Sequence, residues 1–136
     1  MEFSEDLIID ANRFLAEFYS GKDVIALHAY GDDIKSTSYY EQALSYFDEK
    51  CDVLVFTDNL DWYENCFLFQ SSRFIASEGN NYDFDMCLTS FCDAHIMGTN
   101  EESLKVALNS KSQLITVPKH VKIHQGCDHN KNVIKL

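Results

Sequence analysis

Val24-Ile-Ala-Leu-His-Ala29, followed at once by Tyr30-Gly31-Asp32-Asp33, is the stretch that decides the fold. A run with no formal charge, ended by a glycine and two acids, reads as a buried strand leading into a loop. Strands covered on both faces lose the apolar–polar alternation of half-exposed ones. Asp52-Val-Leu-Val-Phe-Thr57, followed by Asp58, repeats the pattern. Three shorter runs complete the set: Arg73 to Ala76, Ala94 to Met97, and Gln113 to Val117, the last stopped by Pro118.

Helical patterns fill the intervals. From Phe3 to Ser20, Leu7, Ile8, Ala11, Phe14, Leu15 and Phe18 recur at helical spacing, with Ser4 as N-cap and Gly21 just past the end. Thr37 or Ser38 opens a second helix that carries Tyr39, Tyr40, Ala43, Leu44 and Phe47 on one side. Leu60 to Phe67, Tyr82 to Cys92 and Glu101 to Asn109 follow as further helices. Alternation of this kind implies βαβ crossovers and an α/β, Rossmann-like, doubly wound domain with a mainly parallel sheet of about five strands. The expected domain covers residues 1–118, with a tail over 119–136.

At 136 residues and 46% hydrophobic content, the chain has enough apolar material for one core. No run reaches the roughly 18 uncharged apolar residues of a membrane span. Glu2, Glu5 and Asp6 stand where a secretory signal would carry Lys or Arg, so a cytoplasmic or nucleoplasmic location is expected. Five cysteines without a paired spacing fit reduced, mostly buried thiols. A net charge of -11, with only eleven Lys and Arg, repels nucleic-acid backbones and anionic membranes, so neither is an expected partner. There is no glycine-rich dinucleotide fingerprint, P-loop or nucleophile elbow, and no cofactor is expected.

Several weaker motifs occur in a telling order. Val24 to Asp32 resembles a strand that ends in His-x-Arg-x-Gly-Asp, and Tyr39-Tyr40-x-x-Ala43 resembles the Tyr-Tyr-x-x-Ala helix after it. Val55-Phe-Thr-Asp-Asn-Leu-Asp-Trp62 looks like Phe-Ser-Asp-Asp-x-x-Trp, and Asp85 to Met97 aligns without a gap to Asp-Phe-x-Leu-Met-x-x-Cys-x-His-x-Ile-Ile. Together these resemble the α-1,2-fucosyltransferases of glycosyltransferase family 11, over about residues 24–117.

The resemblance implies the donor half of a GT-B glycosyltransferase, binding a nucleotide sugar such as GDP-fucose and, in an active enzyme, transferring it with inversion. It assigns donor contacts to His28, Gly31, Asp58, Asp85, Thr99 and Asn100, and a base role to Asp32. Two departures bear on this. Tyr30 stands nearest the place of the family's phosphate-gripping Arg, and Glu101-Glu102 replace small polar residues at a helix N-terminus that faces the donor. Family enzymes also carry a second domain, so an active cleft here needs a partner chain, a second copy or a very small acceptor.

Alternatives for individual residues remain open from sequence. His28 equally fits a structural bond to the next loop, and Asp32, Asp33 and Asp58 fit either a convergent carboxylate cluster or solvated caps. Trp62, Tyr39 and Tyr40 read as packing residues. His120, His124, Cys127 and His129 are ligand types that would suit zinc, at a spacing no standard finger uses, and no metal site is expected. Two other functions compete: a non-catalytic interaction module that kept the fold, and an acidic mimic of nucleic acid.

Overall fold

The computed structural model describes residues 2–19, 22–123 and 131–136. In chain order the elements are α1 (Glu5–Tyr19), β1 (Val24–Ala29), α2 (Thr37–Leu44), β2 (Asp52–Thr57), α3 (Leu60–Asn65), β3 (Phe74–Ala76), α4 (Tyr82–Phe91), β4 (Ala94–Ile96), α5 (Glu101–Leu108), β5 (Leu114–Val117) and β6 (Asn132–Lys135). Two 3-10 stretches intervene, Gly31–Lys35 and Phe67–Phe69. The strands form one sheet in the order β3-β2-β1-β4-β5-β6, and every pairing is parallel. This is the Rossmann-like α/β architecture that the two apolar runs imply, with β1 and β2 adjacent and in register from Val24↔Asp52 to Ala29↔Thr57.

Both faces of the sheet are covered. Ile25, Leu27, Val53 and Val55 pack beneath α2 and α3 with Tyr40, Trp62 and Phe69. Val24, Ala26, Leu54 and Phe56 pack beneath α1 and α4 with Ala11, Cys87 and Leu88. Double coverage explains why all six positions of β1 are buried, and each large apolar side chain so enclosed contributes about 1.5–3 kcal/mol. A third cluster joins Leu104, Ala107 and Leu108 of α5 to Ile115 and Val117.

Four helices, α1, α3, α4 and α5, begin where their caps dictate. Ser4 Oγ accepts from the Leu7 N–H at 3.2 Å, Asn59 Oδ1 from Trp62 at 3.0 Å, Asn81 Oδ1 from Phe84 at 2.8 Å and Asn100 Oδ1 from Ser103 at 2.8 Å. The helix expected over Leu60 to Phe67 stops at Asn65 and continues as the 3-10 turn that buries Phe69.

The sheet has six strands where about five were expected. The sixth comes from the end of the segment read as a tail, with Asn132 to Lys135 in register against Leu114 to Val117. Just before it, the buried Lys131 ammonium donates to the carbonyls of Ser110 and Ser112, which fastens β6 to the turn after α5. His124, Cys127 and His129 lie outside the described residues, and His120 is exposed. Among the described residues no helix is long and apolar enough to cross a membrane, and Cys51, Cys66, Cys87 and Cys92 are free thiols.

Candidate functional site

In a sheet of this order the neighbours of β1 reverse direction along the sequence, with β2 on one side and β4 on the other. Ligands of such sheets sit in the crevice beyond the carboxyl ends of the strands at that point. Two tyrosines of α2 floor the crevice. Tyr40 Oη donates to the His28 carbonyl at 2.6 Å, and Tyr39 Oη donates to the Met97 carbonyl at 2.5 Å. Since a phenol has one proton, the 3.2 Å contact between Tyr39 Oη and Thr116 Oγ1 has the threonine as donor.

Gly31, at φ 57°, takes the left-handed conformation that opens the 3-10 turn. The turn sends the two adjacent acids in opposite directions. Asp32 points to solvent and pairs with Lys35 at 3.4 Å, both side chains being largely exposed. Asp33 turns inward until only 5% of it remains accessible. Its Oδ2 accepts from the Tyr30 N–H at 3.1 Å and the Thr99 N–H at 3.2 Å, and its Oδ1 accepts from Thr99 Oγ1 at 2.7 Å. The carboxylate thus bridges the loops after β1 and β4, directly across the crevice. Gly98 permits this approach, because a Cβ there would lie 2.1 Å from Asp33 Oδ2.

Asp58 receives the Gly31 N–H on both carboxylate oxygens, each at 3.1 Å, and so ties the loop after β2 to the start of the same turn. Asp85, in the first turn of α4, accepts from Ser77 Oγ at 2.5 Å. Burial raises its carboxyl to about 6, an effect that the Ser77 bond moderates. Asn100 caps α5, and Glu101 and Glu102 occupy its exposed first turn. Tyr82 Oη donates to Glu102 Oε2 at 3.0 Å, joining the starts of α4 and α5. Tyr30 leans toward α4, and burial, followed by the charge of Asp85, pushes its phenol well above the ordinary range.

His28 is fully buried, with its ring stacked on Phe56 at a centroid distance of 4.7 Å, so its imidazole offers no surface to a ligand. Its partner is Thr89 on α4. Thr89 Oγ1 donates to the Asp85 carbonyl at 2.8 Å and therefore receives the His28 Nε2–H, at 3.2 Å. The Thr89 carbonyl can only accept, so the buried His95 donates its Nε2–H there, at 2.7 Å. Both imidazoles are thereby fixed as Nε2–H tautomers with unpartnered Nδ1 lone pairs. Burial holds them neutral, lowering His28 to about 3 and His95 to about 4.

Of the residues singled out from sequence, Gly31, Asp58 and Thr99 meet at the crevice, Asp85 flanks it, Asn100 caps a helix, His28 lies beneath α4 and Asp32 faces solvent. The loops after β1 to β4 carry Asp32, Asp33, Asp58 and Glu78 against a single basic residue, Lys35. Among the described residues no group of three or more His, Cys, Asp or Glu is arranged to hold a metal ion. Three participants escaped the sequence reading: the inward turn of Asp33, the hydroxyl contacts of Tyr39 and Tyr40, and Thr89. The isolated glycine between Met97 and Thr99 was the available signal for the first, since a lone Gly at a strand end often marks a close approach.

No family model matches the sequence, and no curated protein matches it. Solved structures do. NodZ α-1,6-fucosyltransferase soaked with GDP-fucose superposes with a TM-score of 0.57 at 14% identity, over 79% of this chain and 42% of that one. Fucosyltransferase NodZ from Bradyrhizobium superposes with a TM-score of 0.54, also at 14% identity, over 77% of this chain and 42% of that one. The fold is fucosyltransferase-like. The chain spans less than half the length of either structure, and at this identity the likeness concerns the fold, not the α-1,2 family in particular.

Proposed function

We propose that this chain is a divergent fucosyltransferase-like domain that takes a nucleotide sugar, of the GDP-fucose type, at the crevice between β1 and β4. The observation that carries the reading is a convergence of donors. The N–H groups of Tyr30, Gly31 and Thr99 and the Thr99 hydroxyl all point at anions there, which is how backbone loops at a switch point meet a diphosphate. In this reading Gly31, Thr99 and Asn100 form the phosphate side, Asp58 and Asp85 face the sugar and nucleoside, and His28 braces the β1 end from beneath α4. Sugar transfer would draw on a further domain or chain for the acceptor.

A second reading has its own observation. Asp33 and Asp58 already satisfy every one of those donors, and Glu101 and Glu102 add two negative charges at the start of α5. This favours a non-catalytic domain that kept the fold as an interaction module. Asp32, the base implied by resemblance, is engaged only in an exposed ion pair, of a kind worth little.

Calorimetric titration with GDP-fucose, GDP-mannose and uridine-diphosphate sugars separates the two. Weak GDP-sugar binding that tightens about tenfold to thirtyfold when Glu101 and Glu102 are both replaced by Ser supports the donor-binding reading; two repulsive charges about 5 Å from a diphosphate are worth roughly 1–2 kcal/mol after screening. The gain shrinks as salt rises. Absence of binding by the double variant supports the interaction module.

A further inference from the structure

Asp33 holds a negative charge almost wholly withdrawn from water, and among the described residues no Lys, Arg or His lies within ion-pair distance of it. A buried carboxylate without a counter-ion persists only where hydrogen-bond donors replace its hydration. Here the donors are Tyr30 N–H, Thr99 N–H and Thr99 Oγ1–H, drawn from the loops after β1 and β4. Gly98 leaves room for the anion, because any Cβ would occupy the place of the carboxylate. Donors without a cation, facing a glycine-lined space, form an oxyanion pocket, and a carboxylate presents to it much the same charge and acceptor geometry as a phosphoryl group.

We propose that Tyr30 N–H, Thr99 N–H and Thr99 Oγ1–H form a phosphate-binding site whose built-in occupant is Asp33, so that a phosphate enters only when the Gly31–Lys35 turn swings outward. The proposal rests on the donor-binding reading only in placing that phosphate within a nucleoside diphosphate. The turn is suited to such a movement. It starts at a left-handed glycine, is tethered at its head by the exposed Asp58 and carries the solvent-facing Asp32–Lys35 pair at its tip.

The test uses inorganic phosphate and GDP as probes, with calorimetry for affinity and circular dichroism for the fold. Asp33→Ser removes the charge and frees the Thr99 donors. Asp33→Asn keeps the size and part of the hydrogen bonding, and is the variant to read should Asp33→Ser unfold. The expected result is at least tenfold tighter phosphate binding by the Asp33 variant than by the parent protein, abolished when Thr99→Val is added. A folded Asp33 variant with parental phosphate affinity, or a gain that survives Thr99→Val, overturns the proposal. Tightened phosphate binding with no preference for GDP upholds the site while removing the nucleotide-sugar reading. Tight GDP-fucose binding by the parent protein, unchanged by Asp33→Ser, upholds that reading and removes the internal occupant.

Discussion

Acid should unfold this domain earlier than its carboxylates alone would suggest, because His28 and His95 must stay neutral where they are. An unfolded histidine titrates near 6.5, while the folded values are about 3 and about 4. Between those limits the unfolded chain binds more protons, so stability falls as pH falls, fully retained above 6.5 and progressively lost toward 4 and 3. At pH 5 each histidine costs about 2 kcal/mol relative to neutral pH. Asp85 acts in the opposite sense, since its folded value near 6 exceeds the unfolded 3.8, and protonation in the native state returns about 1 kcal/mol over the same interval. Around His95, Asp93 favours the charged ring and Lys131 opposes it, both secondary to burial. The histidines win, and the net loss between pH 7 and pH 5 is about 2–3 kcal/mol, or roughly 5–10 °C in Tm for a domain of this size. Urea titrations followed by circular dichroism at pH 7, 6 and 5 measure it. The His28→Leu, His95→Leu double variant should be weaker at neutral pH, having lost its bonds to Thr89, but should not lose further stability toward pH 5. Equal stability of the parent protein at pH 5 and pH 7, or an unchanged pH slope in the double variant, refutes the reasoning.

Two further outcomes follow from the packing. Gly98→Ala should cost at least about 2 kcal/mol in urea unfolding, because the new methyl would lie 2.1 Å from Asp33 Oδ2, and much of that cost should vanish when Asp33→Ala is made as well. In thiol labelling of the native protein without reductant, the partly exposed Cys51 should react ahead of the buried Cys66, Cys87 and Cys92, and denaturant should bring the total to five; a total of three would mean a disulfide.

Most of the fold was legible because its central strands leave no other reading. A strand such as β2, with Val53 to Phe56 buried on both faces, has to be uncharged at those positions, and that shows in sequence. The start of α1 was legible for a similar reason, since Ser4 serves as a cap whatever surrounds it. β6 was not. An edge strand of four residues with polar ends, Asn132-Val-Ile-Lys135, carries too little pattern to stand out from a tail, and its anchor is the long-range contact of one lysine. The site was half legible for a different reason. Asp32 and Asp33 are chemically identical, and only the left-handed turn at Gly31 decides which faces water and which crosses the crevice. His28 likewise drew attention for its place at the end of β1, whereas its bonding is set by Thr89, 61 positions away.

The position of β1 between β2 and β4 also sets an order of events as the chain emerges during synthesis. Its pairing with β2 can form early, but the other side of β1 waits for β4, and Val24 and Asp93, which bond across that seam, lie 69 positions apart. At ordinary elongation rates of roughly 5–20 residues per second, that interval is on the order of several seconds. Throughout it, a strand that is buried at all six positions in the folded protein presents an open row of amide and carbonyl groups, the arrangement on which strands of other chains can add. Chaperone dependence, and aggregation when synthesis is slowed between residues 60 and 95, should therefore be concentrated on this one seam.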